Sequence, residues 1–212
     1  MCYYAFMPSR NIIKLDIDDS YYHVYARGGN KQPIFLNDGD NNYFLHLLDR
    51  YLSKEPKSNR NKRGYPTYAQ DIQLLAYCLM GNQFHLLIYQ KEAGSMPKLM
   101  RSLMTSYSRY FNLKYKRSGS LFESRYKASR IDSDGYLDHI SRYIHLNPKH
   151  WRGYRYSSLQ YYFVGATLRP AWLRPDNIEA LFGDGESNQT FMSDYEERKE
   201  SLDEIKHMLA DL

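Results

Sequence analysis

Only two cysteines occur in the 212 residues, Cys2 and Cys78, too few for a disulfide framework or a cysteine-rich metal site. That usage suits a reducing compartment. A basic-then-apolar leader pattern is also missing, and Lys, Asp or Arg interrupts every hydrophobic stretch before the ~20 residues that a membrane span requires. The expectation is a soluble, cytoplasmic protein with no membrane partner. No internal repeat is present, which sets aside solenoids and propellers. The scarcest feature is local: between Lys98 and Arg130, Glu123 is the single acid among nine basic residues.

Apolar residues make up 42% of the chain, enough for one ordinary core, so the expected organisation is one compact domain with appendages. The net charge of +5 conceals an asymmetry, because residues 176–212 hold eleven acids against three basic residues, a balance of −8 that leaves +13 on the remainder. The basic stretch comprises Lys98, Arg101, Arg109, Lys114, Lys116, Arg117, Arg125, Lys127 and Arg130. Such density attracts a polyanion, since neutralising phosphates releases condensed counterions. Tyr107, Tyr110, Phe111, Tyr115, Phe122 and Tyr126 interleave with it. They read equally as platforms for unpaired bases or as the core-facing stripe of a solvated helix.

Residues 20–26 are rich in aromatic and β-branched types and stop at Arg27-Gly28-Gly29-Asn30, which predicts a strand closed by a turn. Asn37, Asp38 or Asp40 can cap a following helix, in which Tyr43, Phe44, Leu47, Leu48 and Tyr51 recur at helical spacing. Residues 53–66 read as a charged loop. Residues 72–79 and 84–90 predict two antiparallel strands joined across residues 80–83. Ser95 is the expected N-cap of a helix carrying Leu99, Met100, Leu103, Met104, Tyr107, Tyr110 and Phe111, fraying near residues 117–120. Strand-prone residues 121–131 follow. A further helix is expected from Asp132, Ser133 or Asp134 to Asn147, where Pro148 disfavours helical geometry. An acidic segment with one helix over about residues 194–209 ends the chain. The order predicts an α+β sandwich with helices on one face of an antiparallel sheet.

Two positions suggest chemistry. Strand alternation places Gln83 and His85 on one face about 7 Å apart, near enough to share a metal ion, although a lone strand histidine is more often a core residue. Helical spacing puts His139, Tyr143 and Asn147 on one stripe. A phenol has a pKa near 10, so a tyrosine nucleophile needs a nearby divalent cation to polarise the phosphate it attacks and stabilise the developing charge. Spacing alone favours the reading of Tyr143 as one more packed tyrosine with a hydrogen-bonded hydroxyl. His23, His46, His145 and His150 read as structural.

Several ordered segments together resemble the REP-associated tyrosine transposases, a branch of the single-tyrosine HUH (IS200-like) transposases. They are Tyr22-His23-Val24-Tyr25-Ala26-Arg27-Gly28-Gly29-Asn30 with Pro33-Ile34-Phe35, then residues 76–87 around Gln83-Phe84-His85, then residues 119–127, then Arg142-Tyr143-Ile144-His145-Leu146-Asn147-Pro148, and Tyr154-Arg155-Tyr156-Ser157-Ser158. The resemblance runs from about residue 19 to 165. It implies a transposase domain over 1–165 with an acidic extension over 166–212, and a ferredoxin-like or RRM-like fold. It also implies Tyr143 as nucleophile, His85, Asn147 and Gln83 as ligands of Mg²⁺ or Mn²⁺, and single-stranded or hairpin DNA as substrate. In that scheme Arg101, Arg109, Lys114, Lys116, Arg117, Arg125, Lys127 and Arg130 contact DNA. The protein would be nucleoid-associated, as monomer or homodimer. The implied reaction is transesterification through a 5′-phosphotyrosine. Gln83 stands where the family has its first HUH histidine, so a catalytically impaired hairpin-binding protein is the alternative. An RNA-binding module of RRM-like shape is a third class, without the usual strand aromatic signature.

Overall fold

The computed structural model describes residues 16–58, 64–131, 134–162 and 169–176, with backbone alone for 134–136. The elements run β1 (Ser20–Arg27), α1 (Asp38–Leu52), β2 (Ile72–Met80), β3 (Gln83–Gln90), α2 (Ser95–Lys114), β4 (Lys127–Ile131) and α3 (Asp134–Leu146), with two short 3₁₀ turns. All neighbouring strands are antiparallel and the sheet order is β2-β3-β1-β4. The βαββαβ order with that strand arrangement is ferredoxin-like, and α3 is added to it.

Helices cover both faces of the sheet, not one. Tyr22, Val24, Leu74, Tyr77, Phe84, Leu86 and Ile88 share the main core with Phe44, Leu47 and Leu48 of α1 and with Leu99, Leu103, Tyr107 and Phe111 of α2. Leu87, Cys78 and Ile131 on the opposite face pack against Leu137, Ile140, Tyr143 and Ile144 of α3. The physical reason is visible in β3, which is buried along nearly its whole length. A strand covered on both sides reads as a continuous apolar run instead of an alternating one. A register shift between Leu74 and Ala76 turns both Leu75 and Ala76 toward the α3 side, as one extra residue in a strand does.

Local chemistry explains the boundaries. Asn37 caps α1 in a reciprocal capping box with Asp40. Gly94, not Ser95, is the N-cap of α2; its φ of 85° is left-handed, a conformation glycine adopts without a steric penalty. The strand expected over 121–131 is confined to Lys127–Ile131, because Leu121 and Phe122 turn into the main core while residues 123–125 face solvent. Residues 154–158 cover the free edge of β2: Leu79 N–H donates to the Tyr156 carbonyl at 2.9 Å, and Tyr77 N–H to Ser158 Oγ at 2.8 Å. Trp172 and Leu173 also join the main core. The helix expected near 194–209, and most of the acidic extension, lie outside the described residues. Among the described residues no helix is long and apolar enough to cross a membrane.

Candidate nucleophile and phosphate site

Two of the transverse rows of side chains on the sheet face beneath α3 frame the site. Register places Lys127, Tyr25, His85 and Cys78 in one row across β4, β1, β3 and β2, and Arg27, Gln83 and Met80 in the next. The second row is fixed by the turn after β1. Gly28 N–H donates to the Asn82 carbonyl at 2.9 Å, and Ile34 and Phe35 N–H both donate to the Gly81 carbonyl. The β1 turn is thereby tied to the β2–β3 hairpin. A Cβ on Gly28 would lie 2.1 Å from the Gln32 carbonyl oxygen, so only glycine permits this approach.

His23 and His85 are both fully buried. His23 Nε2 and His85 Nδ1 are 2.9 Å apart and their rings lie within 3° of parallel. Tyr25 stacks on both rings, at centroid distances of 5.2 and 5.6 Å. Burial keeps both imidazoles neutral: His23 is pushed well below the usual histidine range by desolvation and by His85, and His85 falls to about 3 by desolvation and the nearby Arg27 charge. One ring therefore donates the shared proton and the other accepts it. His23 Nδ1 and His85 Nε2 are left without hydrogen-bond partners, an arrangement that is costly in a core and commonly reserved for function.

Tyr143 sits over this pair. Its ring meets His23 and His85 edge-on at 5.9 and 5.8 Å. Tyr143 and His85 are thus in ring contact, and Gln83 shares the His85 face of the sheet. Burial raises the Tyr143 pKa, against a hydrogen bond with Asn147 and the Arg27 charge, which both lower it. The phenol is thus protonated at neutral pH. Only 3% of Tyr143 is exposed, so a phosphate reaches the hydroxyl only when its cover shifts. Of the stripe expected with Tyr143, Asn147 joins it and His139 faces solvent. His145 is structural, bonded to Ser158 Oγ at 2.8 Å.

The donor set fits a divalent ion poorly. His85 Nε2 is available, but Gln83 Oε1 accepts a hydrogen bond from Arg27 Nε at 3.3 Å, and the Asn147 side chain is engaged with Tyr143. No group of three or more His, Cys, Asp or Glu side chains suited to a metal occurs among the described residues. Mg²⁺ favours oxygen ligands, commonly carboxylates; here one imidazole and two neutral amides stand beside a guanidinium that would repel the ion.

The basic residues divide into two sets on either side of α2. Arg101 and Arg125 line a cleft of about 510 Å³ with Met100, Met104, Phe122 and Tyr126. Arg109 and Lys114 line a second, of about 600 Å³, with Tyr43, Arg50 and Tyr65. Lys114 is already committed: its ammonium lies 2.6 Å from the buried Asp40 carboxylate and also meets Tyr110 and Asn37. Arg117 stacks over Phe111 at 5.5 Å, and Lys116 and Arg130 are exposed. Tyr107 and Phe111 are core residues, so the stripe reading holds for them. By sequence His23 reads as structural and Arg27 as part of the turn after the first strand; the sign of a place in the site is a polar residue in an apolar strand and a charged residue at its end, opposite Gln83.

Residues 65–147 match the family described as "Transposase IS200 like". This segment includes β2, β3, α2, β4 and α3. Among solved structures, that of the REP-associated tyrosine transposase bound to a REP hairpin matches at 15% identity, covering 78% of this chain and 91% of that chain with a TM-score of 0.54. It shows the shared fold. A transposase candidate from Deinococcus radiodurans R1 matches more loosely, at 15% identity over 62% of this chain and 93% of that one, with a TM-score of 0.40. Among curated proteins none matches.

Proposed function

We propose, from the match of residues 65–147 to the IS200-like transposase family, that this chain cuts and rejoins single-stranded DNA with Tyr143 as nucleophile. The observation that carries the proposal is the placement of the Tyr143 ring against the buried His23–His85 pair, within the influence of Arg27. A phenol stacked in an ordinary core would meet hydrocarbon. This one packs on Leu87 and Cys78 as well, but its ring also meets two imidazoles with unused nitrogens, and the Arg27 charge acts on it.

In the proposed reaction the Tyr143 oxygen bonds to phosphorus, the P–O3′ bond breaks, and the departing 3′ oxygen takes up a proton as the phenol gives one up. A 5′-phosphotyrosine and a free 3′-OH result, and attack by that 3′-OH reverses the step. Because the bond energy stays in the adduct, no nucleotide cofactor is needed. The resemblance implies Mg²⁺ or Mn²⁺ as activator, but the residues present do not fit such an ion, and no step is assigned to one.

Hairpin DNA is the proposed substrate, in keeping with the REP-hairpin complex of the structurally similar transposase and with the basic surface on α2 and residues 120–130. Incubating the protein with a labelled hairpin bearing a single-stranded flank is expected to give an SDS-stable adduct that Tyr143→Phe abolishes. Gln83 and the burial of Tyr143 favour one second reading, a hairpin-binding protein that does not cleave. It predicts salt-sensitive binding with no adduct, and gain of cleavage in Gln83→His would identify the glutamine as the lesion.

A further inference from the structure

We propose that Arg27, with Arg125 and Lys127, forms a metal-independent seat for a DNA phosphodiester beside Tyr143, the guanidinium taking the place that a divalent ion would hold. The three side chains line one recess with Tyr25, Ser124 and Glu123. Three cations face one carboxylate there, an excess of positive charge suited to a phosphate.

The seat is built by the sheet. Arg27 ends β1 directly opposite Gln83, the first residue of β3. Its Nε is spent on Gln83 Oε1 at 3.3 Å, which orients the planar guanidinium and leaves its terminal amino groups for the two oxygens of a phosphate. The carbonyl of Arg27 accepts from Glu123 N–H at 2.9 Å, fixing the backbone of the 123–125 segment against β1. Lys127 lies across from Tyr25 in β4 and holds its ammonium 5.8 Å from that ring. No ion pair to Arg27, Arg125 or Lys127 occurs among the described residues, whereas Lys114, a few turns away, is tied to Asp40. Arg27 and Gln83 form the row next to Tyr25 and His85, and the His85 ring meets Tyr143 at 5.8 Å, so a phosphate held there lies on the sheet face that Tyr143 covers. Arg125 also lines the 510 Å³ cleft with Phe122, Tyr126 and Met104. A base stacked in that cleft would have its phosphate on the seat.

This arrangement gives Gln83 a role. A histidine at that position could bind a metal, whereas a glutamine amide oxygen serves as the acceptor that steadies Arg27. Only the statement that the seated phosphate is the scissile one rests on the nucleophile reading above; the seat itself does not.

The test measures binding of a fluorescent single-stranded oligonucleotide by anisotropy, in a Tyr143→Phe background so that adduct formation cannot contribute. Binding is expected to be as tight in EDTA as in Mg²⁺. Arg27→Ala should weaken it about 10-fold or more, the size of a lost charge-assisted contact, Arg27→Lys less, and the exposed Arg125→Ala severalfold without altering the melting temperature. Thermal melting of the unmodified protein should not shift with Mn²⁺. Binding that requires Mg²⁺, a Mn²⁺-dependent rise in melting temperature, or unchanged affinity in both Arg27→Lys and Arg125→Ala would overturn the seat. If the protein with Tyr143 intact forms no adduct while these binding results hold, the nucleophile alone is sunk; if it forms the adduct while affinity is unchanged in the variants, the seat alone is sunk.

Discussion

His23, His85 and His145 are fully enclosed and held neutral. Their folded pKa values lie below the unfolded value of about 6.5, with His85 and His145 each near 3. Between those limits the unfolded chain binds more protons, so stability is fully present above pH 6.5 and falls as pH drops toward 3. One such histidine costs about 2 kcal/mol at pH 5. Urea denaturation should therefore show a marked loss of stability between pH 7 and pH 5. In His145→Gln, which removes one titrating group distant from the phosphate seat, the loss should be smaller by about 2 kcal/mol; an identical pH dependence would refute the assignment. At this scale the sequence singled out His85 and Tyr143 and read His23 as structural. Its importance depends on β1 lying beside β3, and strand adjacency is set by the whole sheet, not by local spacing.

Among the elements, the turn after β1 has the greatest leverage on the site. Gly28 packs so closely on the Gln32 carbonyl and on Ile34 that a methyl group must push the turn away from the β2–β3 hairpin. Gly28→Ala is expected to destabilise the fold by about 1–3 kcal/mol, as overpacking does, and to weaken oligonucleotide binding by displacing Arg27 from Gln83. Paired urea melts and anisotropy titrations check this; wild-type values in both would show that the turn does not position Arg27. The strands and helices around this turn were legible because caps, breakers and periodicity are local. Their layering was not. Gln83-Phe84-His85-Leu86-Leu87-Ile88 reads as a strand without an alternating face, and that continuous run was the overlooked sign that α3 would cover the side opposite α1 and α2. β4 is shorter than composition suggests for a related reason: Leu121 and Phe122 have strand-like composition but are spent on the α2 core.

Across the molecule, charge is distributed more selectively than composition suggests. The chain reads as uniformly basic from Lys98 to Arg130, yet α2 separates Arg101 and Arg125 from Arg109 and Lys114. If DNA follows the side on which Arg125 joins the cleft to the Arg27 recess, Arg125→Ala should lower affinity and reduce the salt slope by about 0.7 per lost phosphate contact on single strands, while Arg109→Ala should leave both nearly unchanged. Equal effects in salt titrations would mean that DNA wraps both sides of the helix. The central claim, that the Tyr143 oxygen forms the bond to DNA, is tested most directly by digesting the denatured protein after incubation with a hairpin substrate and locating any nucleotide-bearing peptide by mass spectrometry. The account predicts a 5′-phosphorylated nucleotide on Tyr143; attachment at another residue, or cleaved DNA with no peptide carrying it, would contradict it.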